Sequence, residues 1–86
     1  MSAVTLLFFA GLREAVGTSR ETLELPSAVT TVGALRAHLV TRGGVWAEHF
    51  APARNLRAAV NQDMAAADAP VRAGDEVAFF PPVTGG

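Results

Sequence analysis

Val4-Thr5-Leu6-Leu7-Phe8-Phe9-Ala10 is the stretch on which the fold turns. It is short, apolar and rich in strand formers, which marks a β-strand rather than a helix. Alternation sets Val4, Leu6 and Phe8 on one face and Thr5, Leu7 and Phe9 on the other. From Leu6 onward both faces are apolar, so the segment reads as a central strand.

Working outward, Gly11 and Gly17 bracket Leu12 to Val16, which forms either one helical turn or a structured loop. Arg20 to Leu25 alternates polar and apolar residues up to Pro26 and reads as a half-exposed second strand. Thr30 or Thr31 can cap a helix running to about Arg42, with Val32, Leu35 and Leu39 on one buried stripe. Gly43-Gly44 supplies a left-handed stop, and Arg42 is placed near the negative end of the helix dipole. Trp46 to Phe50 adds a helical turn before Pro52. Leu56 to Val60 is a third strand, turned by Asn61-Gln62-Asp63 into a short strand at Met64 to Ala66. After the turn-rich Pro70 to Asp75, Glu76 to Phe80 is the last strand. The order strand, strand, helix, three strands predicts an α+β domain. Its mixed sheet has about five strands, with one main helix packed on one face. Placing the first and last strands side by side in parallel gives the β-grasp arrangement. Residues 1–80 make the domain and 81–86 an extended, flexible C-terminal tail.

Composition removes several function classes. With 86 residues, half of them hydrophobic, the chain has room for one core. Seven arginines, no lysine and eight acidic residues give a net charge of −1, which leaves no basic excess to hold a nucleic acid. No cysteine is present, so disulfides, thiolate metal sites and cysteine nucleophiles are excluded. His38 and His49 have no partner at a metal-binding spacing, and Asp63, Asp68 and Asp75 read as turn residues, so no metal site is assigned. The apolar run from Val4 to Ala10 is too short to span a bilayer, and the expectation is a cytoplasmic protein without a membrane partner.

What remains is the end of the chain, Phe79-Phe80-Pro81-Pro82-Val83-Thr84-Gly85-Gly86. Two prolines withdraw two ladder donors in succession, so the strand stops and the backbone leaves extended. The tail from Pro81 to Gly86 reaches at most roughly 20 Å at about 3.3–3.6 Å per residue. Its glycines carry no side chain to block a narrow channel. The one group this presents is the Gly86 carboxylate, which is ionised and unreactive at neutral pH. Converted to an acyl-adenylate by an ATP-using enzyme, it becomes open to attack by sulfur or nitrogen. The chain has no catalytic side chains of its own for that step and binds no cofactor directly.

The tail, preceded by Gly74-Asp75-Glu76-Val77-Ala78, resembles the family of molybdopterin synthase small subunits, sulfur carriers of the ubiquitin-like β-grasp class. Leu7-Phe8-Phe9-Ala10 with Arg13-Glu14 and Gly17, the helix Thr31 to Leu39, and Ala58-Ala59-Val60-Asn61-Gln62 agree with it. The resemblance implies that Gly86, supported by Gly85, is adenylated by an activating enzyme of the ubiquitin-activating type and converted to a thiocarboxylate. It implies a heterotetramer of two small and two large subunits, with the tail in the large subunit's active site. There, sulfur converts cyclic pyranopterin monophosphate to the dithiolene of molybdopterin. Thiamin-pathway and tRNA-thiolation carriers, and ubiquitin-like modifiers, share the double glycine and are the alternatives.

Alternation on the last strand puts Val77 and Phe79 on one face and Ala78 and Phe80 on the other. With Phe79 under the helix, Phe80 lies on the far face near Phe9, Leu7 and Met64. These are either sheet filler or a docking surface that continues into Pro81, Pro82, Val83 and Thr84. Arg13 and Glu14 are either partner contacts or a solvated pair, and Arg57 and Arg72 are candidate contacts to acidic groups of the large subunit.

Overall fold

A computed structural model describes residues 3–81. Five strands, β1 (Ala3–Phe8), β2 (Arg20–Glu24), β3 (Arg57–Val60), β4 (Asp63–Ala65) and β5 (Glu76–Phe80), form one sheet in the order β2-β1-β5-β3-β4. β1 pairs with β2 antiparallel and with β5 parallel, so the most apolar strand lies inside the sheet, as expected. β5 is antiparallel to β3, and β3 to β4. The mixed sheet carries three helices, α1 (Ala10–Val16), α2 (Val32–Val40) and α3 (Gly44–Phe50). The α+β β-grasp architecture read from the sequence is the one observed.

The main helix forms where the sequence places it. Thr31 is its N-cap, with Oγ1 accepting from the Ala34 N–H at 3.1 Å. Val32, Leu35 and Leu39 all enter the core. Its remaining N-terminal donors are not left bare, because Val32 and Gly33 donate to the carbonyls of Ala69 and Ala67. A Cβ on Gly33 would sit 3.1 Å from the Ala67 oxygen, so glycine permits that approach. The helix ends at a right-handed Thr41. Gly43 and Gly44, at φ 75° and 55°, do leave the helix in the left-handed region, but they open α3. Arg42 directly follows the C-cap of α2, and its side chain reaches α3 and the sheet. Its guanidinium is paired with Glu21 of β2 and lies 4.4 Å over the Trp46 ring. The hydrogen bond to Glu21 raises its pKa further above the usual arginine value.

The two short helices exceed what the sequence suggested. α1 spans seven residues, not one turn, beginning at Ala10 with φ 52° and closed by Gly17 in the left-handed region. α3 starts two residues before Trp46, and its terminal carbonyls are gathered by Arg36. The Arg36 Nε donates to Phe50 O at 2.8 Å, and Nη2 donates to Ala51 O and Arg54 O. Partial burial lowers the pKa of this guanidinium. Under the helices, Phe8, Phe50, Phe79 and Trp46 interlock, with Phe50 edge-on to Phe8 and Phe79 and stacked on Trp46. No helix among the described residues is long and apolar enough to cross a membrane.

Candidate functional site

The sheet has one covered and one open face. On β1 the burial alternates strictly, with Val4, Leu6 and Phe8 buried and Ala3, Thr5 and Leu7 only partly so. On β5 Val77 and Phe79 are buried while Ala78 and Phe80 are half-exposed. Phe79 is therefore under the helices and Phe80 is on the open face, the orientation read from alternation.

Register places the other candidates around Phe80. Leu7 is opposite Ala78, Ala78 opposite Ala59, and Ala59 opposite Met64, which makes one row across four strands. Met64 ends that row at 63% exposure. Phe80 is one step closer to the tail, with Arg57 as its partner on β3. On its other side, the Phe9 N–H donates to the Phe79 carbonyl at 3.4 Å, carrying the ladder one residue past β1. Phe9 is thus brought beside Phe80, with 47% of its surface in solvent. The structure brings Phe9, Leu7, Phe80 and Met64 onto one face. Sequence reading put Ala78 on this face with Phe80 but did not place Ala59, and the small side chains of both lie between Leu7 and Met64. The open-face parity of Ala59 on β3 is the signal that could have found it.

Pro81 follows Phe80 at the same end of the sheet. It borders a cleft of about 300 Å³ lined with Gly11, Leu12, His49, Arg54, Asn55 and Leu56. Pro82, Val83, Thr84, Gly85 and Gly86 lie outside the described residues. Arg13, Glu14 and Arg72 are exposed, and Arg72 borders the same surface depression as Met64. Asp75 is held in its turn by the Arg72 N–H at 2.8 Å and by Asn61 Nδ2 at 3.1 Å. Among the described residues no group of three or more His, Cys, Asp or Glu side chains could hold a metal ion. No buried side-chain polar atom there lacks a hydrogen-bond partner. This arrangement presents apolar area beside Pro81, where the described residues end.

Comparison with known proteins gives consistent results. The ThiS family profile matches residues 6–86. The molybdopterin synthase sulfur carrier subunit of Escherichia coli is 47% identical over 83 residues, covering 96% of this chain and 99% of that protein. The same subunit of Haemophilus influenzae is 40% identical over the same shares of both chains. Among solved structures, small archaeal modifier protein 1 of Haloferax volcanii superposes with a TM-score of 0.76 at 28% identity, over 98% of this chain and 99% of the other.

Proposed function

This chain belongs to the ThiS family of β-grasp sulfur carriers and is homologous to the molybdopterin synthase small subunit; from that premise we propose that it is the cytoplasmic sulfur-carrying subunit of a molybdopterin synthase. The observation that carries the proposal is the 47% identity to the E. coli sulfur carrier subunit over nearly the full length of both chains. The Phe79-Phe80-Pro81-Pro82-Val83-Thr84-Gly85-Gly86 terminus supports it.

The steps follow from a carrier with no catalytic side chain. A Gly86 carboxylate oxygen attacks the α-phosphorus of ATP on a ubiquitin-activating-type enzyme, and pyrophosphate leaves. A persulfide sulfur of the donor then attacks the acyl carbon and AMP leaves. A thiol cleaves the resulting acyl disulfide, giving the Gly86 thiocarboxylate and an oxidised donor. The body docks on a large subunit through Phe80, Phe9, Leu7 and Met64, in an assembly of two small and two large subunits. Pro81 and Pro82 direct Val83, Thr84, Gly85 and Gly86 into its active site. The terminal sulfur attacks an oxygen-bearing side-chain carbon of the pterin substrate, the carbon–oxygen bond there breaks and that oxygen leaves, and water hydrolyses the acyl–sulfur bond. Sulfur stays on the product and the carboxylate is regenerated.

The test is intact mass spectrometry after incubation with activating enzyme, ATP and sulfur donor. A gain of about 16 Da at the C-terminal peptide, sulfur for one oxygen, is expected. An unaltered terminus overturns the reading. The 28% identity to an archaeal modifier protein favours a second reading, in which Gly86 forms isopeptide bonds with other proteins. Carrier-bearing lysine peptides in the same experiment would select it.

A further inference from the structure

An acyl-adenylate is open to any free amine, so other copies of the carrier are candidate acceptors for an activated Gly86. Lysine offers such an amine, because its ammonium loses a proton near a pKa of about 10.4. Arginine does not, because its guanidinium stays protonated and delocalised. All seven basic side chains of this type are arginine, and there is no cysteine to form a thioester.

The fold does not require that choice throughout. Arg36 needs the forked guanidinium for three carbonyls, and Arg42 needs it for Glu21 and the Trp46 face. Arg54 uses its Nε on the Glu48 carbonyl and pairs with the Glu48 carboxylate. Arg13, Arg20, Arg57 and Arg72 are exposed. Among the described residues their side chains make no hydrogen bond or ion pair. Lysine would fold equally well at those four sites.

We infer that this chain is a one-way acyl donor with respect to side chains: it offers no side-chain amine, so its activated terminus cannot form an amide with a side chain of a second copy. The inference rests on the proposed activation of Gly86. In the excluded reaction, an amide bond forms between the Gly86 acyl carbon and the amine. The acyl–phosphate bond breaks, AMP leaves, and the amine's proton passes to solvent.

The experiment incubates carrier, activating enzyme and ATP without a sulfur donor, comparing wild type with Arg72→Lys and Arg13→Lys. A parallel sample contains hydroxylamine, whose hydroxamate at Gly86 reports activation independently of any acceptor. The expected result is equal hydroxylamine capture in all three chains. A two-copy adduct, one water lighter than two carriers and mapped to the substituted position, then forms only in the lysine variants. The same adduct level in wild type, or none in either variant despite full capture, overturns the inference. Absence of capture in every chain overturns the activation reading and takes this inference with it.

Discussion

Phe79 and Phe80 are adjacent, chemically identical and in the same strand, yet they meet different environments. Phe79 is 1% exposed and packed edge-on against Phe50. Phe80 is on the open face between Phe9 and Arg57. Phe8 and Phe9 repeat the contrast one strand away, 1% against 47% exposed. The period of two along a strand assigns one member of each pair to stability and frees the other for recognition. A pair of aromatics is thus used twice to build a core and an open apolar face at the end of the sheet where the described residues stop.

Three substitutions sharpen or break that contrast. Phe79→Ala should cost about 3–5 kcal/mol by opening a cavity beneath the helices, read as a lower midpoint in urea unfolding. A loss below about 1 kcal/mol would show that Phe79 is not a core residue. Phe80→Ala should leave stability within about 1 kcal/mol but weaken large-subunit binding by about 2 kcal/mol, some thirtyfold in Kd by calorimetry. The opposite pattern would erase the difference between the two faces. The smallest effect is expected at the β3–β4 hairpin, where Asn61 and Gln62 stand at φ 51° and 74°. Gln62→Gly should stabilise the fold by about 0.5–1 kcal/mol, because glycine takes that conformation without a Cβ penalty. Docking should not change, since the turn is at the end of the hairpin remote from Phe80.

Much of this was legible in the sequence because it depends on short-range periodicity. Strand alternation assigned Phe79, Phe80, Val77 and Ala78 to their faces, and the Val32, Leu35, Leu39 stripe gave the main helix. Element ends were less legible where the backbone departs from propensity. Ala10 continues an apolar run and gives no sign that it starts α1 with a positive φ, which is uncommon for a residue with a Cβ. Gly43-Gly44 reads as the end of a helix and is in fact the start of the next. The Arg36 fork, joining residues 14 to 18 apart in sequence, has no periodic signature at all. The part of Ala59 in the open face was hidden because alanine is at home on either face of a sheet.

The central claim is that the body of the domain recognises the partner and the terminus carries the chemistry. It is tested by removing Gly85 and Gly86 and measuring, with one preparation, both affinity for the large subunit and formation of the dithiolene product. The account predicts a Kd within about twofold of the full chain and no product above background. Product formed by the truncated chain, or binding abolished along with it, would contradict the account.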